Sequence, residues 1–205
     1  MARSRSSRDV LIAELREAFG RVVYTHKSHE KEADINKARD EHVRIAQLVL
    51  SVGASGSTLS TLFADYASLP YISALIATAL AIVTGYAKSF EAAAHASAHS
   101  VTARRLWLVR EQYLSLLADV EAEAATLEDA RARRDKLQLT LAEIYESAPR
   151  TSAKAYGLAQ VALKVNEELT FSDKEIDMFL PDALRRGDAG QSGATPPTGA
   201  GTPGA

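Results

Sequence analysis

SVGASGSTLST, residues Ser51 to Thr61, has few large apolar side chains and no charge, and on its own it reads as a linker. Its surroundings reverse that reading. From Ile45 to Ala64, 20 residues pass without Asp, Glu, Lys or Arg; Asp65 intervenes, and 22 more uncharged residues follow from Tyr66 to Ala87. At 1.5 Å per residue a helix of about 20 residues spans the roughly 30 Å hydrocarbon core of a bilayer. The quoted stretch, embedded between Leu48-Val49-Leu50 and Leu59 without Pro, is therefore expected in the middle of a first span.

The averages over 205 residues conceal this block: 46% hydrophobic, 24% charged and net charge −2 describe an ordinary small protein. Zero Cys excludes disulfides, thiolate nucleophiles and Cys-based zinc sites. The near-neutral balance argues against a nucleic-acid partner, because no extended basic face offsets the acids. MARSRSSRDV is basic but lacks an apolar core after it, so insertion is expected from the internal hairpin alone.

The connector FADYASLP carries no Lys or Arg, whereas Lys37, Arg39 and Arg44 flank one side and Lys88, Arg104 and Arg105 the other. That asymmetry places both termini in the cytoplasm. Tyr66 and Tyr71 mark the outer boundary, Tyr86 and Phe90 the inner one, and Ser68 with Pro70 suit the start of a descending helix. Seven large aliphatics in the first span contribute roughly −3 kcal/mol to insertion, so this helix expects protein or water on part of its surface. At 100° per residue Gln47, Ser51, Ser55, Thr58 and Thr61 form one stripe, and Gly53, Gly56, Ser57 and Ser60 form nearly the opposite one. One stripe suits packing against the second helix, which offers Ser73, Ala77, Ala81 and Gly85; the other suits a partner or a pore lining, and a pore needs several copies. The rival reading of these hydroxyls is that they bond their own backbone and do nothing else.

Around the hairpin the expectation is all-α. Residues 1–8 read as a flexible N-terminus and 9–44 as a cytoplasmic helix capped by Asp9, with Leu11, Leu15, Ala18 and Val22 at helical spacing. Residues 45–87 are the two-transmembrane hairpin, and 88–186 a cytoplasmic helical region. In that region Leu106, Val109, Tyr113, Leu116 and Val120 make a heptad seam and Leu137, Leu141, Ile144 and Tyr145 a further stripe, with a turn expected near Glu123 to Leu127. Pro149 ends this run. Leu158, Val161, Ala162, Val165 and Leu169 mark a short amphipathic helix, and Ser172 with Glu175 a capping box, with Phe171 and Ile176 as a hydrophobic staple. Residues 187–205, rich in Gly, Pro, Ser and Thr, read as a disordered tail.

Catalysis and cofactors are not expected. His26, His29 and Glu30, and His95 with His99, have metal-compatible helical spacing but no third ligand backed by a carboxylate, so they read as solvated histidines near a membrane surface. Arg131 to Arg134 reads as a solvated face rather than a lipid or phosphate contact.

The helix-hairpin-long-helix plan, HVRIAQLVLSVGASGSTLSTL before the second span and AHSVTARRLWLVREQYLSLLADVEA after it resemble the SLATT family of small bacterial two-transmembrane effectors, from about Phe19 to Leu184. APRTSAKAYGLAQVALKVNEELTFSDKEIDMFLP is similar to the C-terminal extension of one subgroup. The resemblance implies a non-enzymatic inner-membrane protein that homo-oligomerises and permeabilises the membrane when a partner senses infection, with a nucleotidyltransferase or sensor protein as that partner. No fused sensor domain accompanies it, so the trigger is expected from a separate protein or a diffusible nucleotide signal. Two other readings stay open on the residues: a membrane-anchored scaffold whose helical arms recruit a partner, and a soluble helical bundle.

Overall fold

A computed structural model describes residues 6–60, 66–181 and 185. Six helices, and no strand among the described residues, follow one another: α1 (Ser7–Ser60), α2 (Leu69–Phe90), α3 (Ala92–Glu121), α4 (Leu127–Ser147), α5 (Ala153–Lys164) and α6 (Asp173–Phe179). Of the two compact units, the first ends at Asn166 and contains α1 to α5; the second holds α6.

α1 organises the first unit. It is one helix of 54 residues, about 80 Å long, and it passes residues 44 and 45 without interruption. It begins two residues earlier than Asp9, because the Ser6 hydroxyl accepts from the Asp9 amide while the Asp9 carboxylate accepts from the Ser6 amide. This reciprocal cap satisfies two of the orphan donors of the first turn. α3 and α2 run back along α1 in a single antiparallel register: Arg8 donates to the Val120 carbonyl at 2.6 Å, His29 faces His99, Gln47 faces Thr84, and Gly53 faces Ile76.

The core fills one end of this hairpin. Leu11, Leu15, Ala18 and Val22 of α1 interlock with Leu106, Val109, Tyr113, Leu116 and Val120 of α3, and Ala130, Leu137 and Ile144 of α4 close the third side. Both periodic seams therefore face each other, as three- and four-residue spacing requires. α3 and α4 turn at residues 122–126, with Glu123 in the left-handed region at φ 57° and the Thr126 hydroxyl capping α4 through the Asp129 amide. Tyr145 of the α4 stripe remains exposed. Arg134 reaches Glu14 at 2.8 Å and Arg133 reaches Asp119 at 2.6 Å, so this arginine run is tied down by carboxylates of neighbouring helices.

α5 corrects the sequence reading. Its buried face is Ala155, Ala159 and Ala162 against α1, while Leu158, Val161 and Val165 are exposed. The alanines recur four and three apart and let the helix approach α1 more closely than branched side chains allow. In the second unit α6 carries the expected capping box, Ser172 with Glu175, and Phe171 and Ile176 are exposed. The 187–205 tail lies outside the described residues.

Candidate functional site

Beyond the core, α1 and α2 continue as a two-helix element with no fully buried residue in residues 45–60 or in α2. Large apolar side chains turn outward: Leu48, Val49, Val52 and Leu59 on α1, and Tyr71, Leu75 and Ile82 on α2, are between 58 and 78% exposed. One polar contact crosses between the helices, at their exposed edge. Gln47 Nε2 donates to Thr84 Oγ1 at 3.4 Å between the helices.

The facing surfaces are half-buried Ala46, Gln47, Leu50, Gly53, Ala54 and Ser57 of α1, against Ser73, Ile76, Leu80 and Val83 of α2. This cuts across the two stripes of the sequence reading. Gln47 lies on the α2 side with Gly53 and Ser57; Ser51, Ser55, Thr58, Gly56 and Ser60 are all exposed; Thr61 lies outside the described residues. Ala77, Ala81 and Gly85 are exposed. A Cβ built on Gly53 would meet Ile76 at 3.7 Å, ordinary contact, and one on Gly56 meets nothing within 4 Å. The hydroxyls of Ser57 and Thr58 donate to the Ala54 carbonyl and that of Ser60 to the Gly56 carbonyl. Among the described residues one helical stretch, within Leu69–Glu121, is long and apolar enough to cross a membrane. α1 does not meet that test.

The return arm is broken where α1 is not. Between α2 and α3 Glu91 adopts φ 41°, ψ 44°, left-handed backbone that non-glycine residues rarely occupy. Its amide still donates to the Ala87 carbonyl, closing α2, and its carbonyl accepts from His95, opening α3. Nothing in the local sequence, which has neither Gly nor Pro here, explains the break. Tyr86 and Phe90 stack one turn before it, centroids 4.3 Å apart.

Between this hairpin and the core lies a buried polar layer, and here the solvated reading is overturned for three of the four histidines so read, His95 alone of them being exposed. His26, His29 and His99 are only 3–4% exposed, with Lys27, Ser28, Glu32, Asn36 and Thr102 buried beside them. The seam of α1 continues from Val22 through His26, His29, Ala33 and Asn36, and that of α3 runs back from Leu106 to Thr102 and His99, so the histidines occupy core positions. His29 Nδ1 and His99 Nδ1 are 2.9 Å apart, their rings tilted 39°. The Glu32 carboxylate accepts from the Ser152 amide at 2.6 Å, tying the start of α5 to the same layer. Burial lowers the His29 pKa to about 4, with the neighbouring His99 adding to the effect; burial likewise lowers His99 and His26. Glu32 is shifted down although burial alone would raise it, because the Ser152 bonds favour the carboxylate. Both imidazoles are thus neutral at pH 7, and one Nδ1–H donates to the other ring. His26 Nδ1 and Tyr113 Oη are buried without a hydrogen-bond partner. Among the described residues no group of three or more His, Cys, Asp or Glu is placed to hold a metal ion.

The comparisons with known proteins agree with this architecture at the family level. No curated protein and no solved structure matches the chain. The family model described as SMODS and SLOG-associating 2TM effector domain family 4 matches residues 11–175, which begins earlier and ends earlier than the stretch of resemblance read from the sequence. That span covers α1 to α5 and the first residues of α6, with the hairpin at its centre and the polar layer inside it. The match covers most of the chain, and the protein belongs to SMODS and SLOG-associating 2TM effector domain family 4.

Proposed function

We propose that the chain is a non-enzymatic effector of bacterial conflict that inserts residues 45–87 as two spans into the inner membrane, with both ends cytoplasmic. In this reading several copies assemble, and a partner protein or nucleotide signal triggers pore formation or disruption of the bilayer. The single observation that carries the proposal is the apolar exterior of the hairpin. Large side chains such as Leu48, Leu75 and Ile82 stand 65–71% exposed, and no residue of α2 is buried. Water penalises that exposure; hydrocarbon does not. Family membership supports two spans rather than one, and the lack of Lys and Arg between the spans supports cytoplasmic ends.

Ser51, Ser55 and Thr58 then form the candidate lining, as exposed polar positions on the first span. Induction should arrest growth with loss of membrane potential, and purified protein should release dye from phospholipid vesicles. Ser55→Leu with Thr58→Leu should abolish release while the protein still sediments with membranes; unchanged release rejects the lining. The backbone bonds made by Ser57, Thr58 and Ser60 favour a second reading, a membrane-anchored scaffold in which the hydroxyls are structural. Vesicles carrying inserted protein without conductance would select it.

A further inference from the structure

We propose that His29 and His99 form a proton-operated latch between α1 and α3, closed when both imidazoles are neutral and opened when both are charged. Geometry carries the idea. The two Nδ1 atoms are 2.9 Å apart, in side chains almost sealed from water. With both rings neutral, one Nδ1–H donates and the other Nδ1 accepts. A first proton still leaves an arrangement with one acceptor, N–H⁺···N. A second leaves two N–H donors and two positive charges pointing at each other at a separation that only an acceptor tolerates. The helices then have to part, or the rings have to leave the layer.

The surroundings decide whether charge is tolerated. On α1 the pair is faced by His26 and Glu32, with Arg39 acting on Glu32 from further along; on α3 it is faced by His95. The connection before α5 brings the Ser152 amide onto Glu32, and α5 itself presents the alanine face of Ala155, Ala159 and Ala162 to α1. A single carboxylate, Glu32, therefore counters the first positive charge and is itself engaged by Ser152. No second counter-charge faces the pair from these elements.

Position makes the latch consequential. His99 is about 12 Å along α3 from the left-handed break at Glu91, whereas α1 runs unbroken from His29 to Gln47, about 27 Å away. Separation of the arms at the histidines is thus absorbed at Glu91 on one side and carried as rigid-body motion into the hairpin on the other. This consequence, though not the latch itself, rests on the membrane-effector reading.

The test uses the full-length protein in phospholipid vesicles. The chain has no Cys, so Asp34→Cys on α1 and Val101→Cys on α3, both at exposed positions, accept a unique pair of spin labels. The inter-label distance should be single and narrow at pH 7.5 and should lengthen and broaden below about pH 4. His29→Gln with His99→Gln cannot be charged and should hold the pH 7.5 distribution across the range. An identical acid response in that variant, or no response in the parent, overturns the latch. Should the variant fail to fold, magnetic-resonance titration of ¹³C-labelled histidines in the parent decides instead. Two separated steps seen by both rings, the second well below the ordinary range, support the latch; independent titration of both rings near 6.5 rejects it. Dye release, recorded in parallel, separates the two proposals. Label separation without leakage leaves the latch standing and rejects acid opening of a pore; leakage without separation rejects the latch and leaves the pore.

Discussion

The two ends of the long antiparallel hairpin share a register and differ in everything their side chains do. At the core end Leu15, Leu106 and Leu116 are fully buried and the charges lie outside. At the other end Leu48, Leu75 and Ile82 lie outside together with Ser51, Ser55 and Thr58. The same helical geometry thus carries two opposite distributions of large apolar side chains, and what changes along the α1 seam is residue type at fixed three- and four-residue spacing. Apolar seam positions give way to His26, His29 and Asn36 and then to Gln47, Gly53 and Ser57. Secondary structure does not mark that passage, since α1 is continuous from Ser7 to Ser60.

The comparison breaks most visibly where the core is emptied. Leu116→Ala removes a fully buried side chain between α1, α3 and α4, and should cost about 2–5 kcal/mol, read as a lower unfolding midpoint of the protein in detergent. Leu75→Ala deletes the same atoms from a side chain 71% exposed and should leave that midpoint unchanged. Equal losses would mean that the two ends share one environment. Ile82→Lys attacks from the other side. A lysine costs about 3 kcal/mol of insertion at the middle of a span and less at Ile82, one turn from Tyr86 at the inner boundary, so part of the variant should shift from the membrane pellet to the supernatant or to degradation. Exposed Leu108 of α3 provides the control, because Leu108→Lys places its charge where water is expected and should sediment with the parent.

Acid should act on the passage between the two ends. The His29 pKa is lowered to about 4, whereas the unfolded chain titrates near 6.5, so between those values the unfolded state binds more protons. Stability therefore rises with pH across that window and is lost as pH falls through it, by about 2 kcal/mol between pH 8 and pH 5 from His29 alone. Glu32 adds in the same direction, since its lowered pKa gives stability that is present above the ordinary carboxylate range and lost on acidification. Denaturant midpoints at pH 8, 6.5 and 5 should fall in that order, and His29→Gln should flatten the slope.

Much of the core was legible in the sequence because it follows from periodicity. Leu11, Leu15, Ala18 and Val22, and Leu106 through Val120, are apolar at every seam position, and a stripe of that kind has one way to bury itself. Continuing the seam by four and three from Val22 reaches His26 and His29, and stepping back from Leu106 reaches His99, so position along the seam, not residue type, is the signal that buries them. In α5 the branched residues Leu158 and Val161 drew attention from Ala155 and Ala159, whose small size is what permits contact with α1. In the hairpin the angular wheel groups the polar positions into two stripes, and the face turned to α2 takes members of both, Gln47 from one and Gly53 and Ser57 from the other. That choice depends on the register inherited from the core, and it places Gln47 against Thr84 and leaves Ser51 and Ser55 outside. The break at Glu91 has no local signature at all.

The smallest expected effect tests the hairpin most finely. Gln47→Leu removes the side chain that bonds Thr84, and in water the added apolar contact would offset the lost hydrogen bond. In hydrocarbon the terms differ, because the leucine gains nothing from leaving lipid and the Thr84 hydroxyl falls back on its own helix. Hydrogen bonds between spans average about 0.6 kcal/mol, so the variant should insert at least as well as the parent while the two helices associate slightly less. Labels at Leu48→Cys and Ile82→Cys would register this as a broader distance distribution in vesicles. A sharper distribution, with higher stability, would mean that the helices pack as a water-soluble pair does, and the contrast between the two ends would then lie in the sequence but not in the solvent.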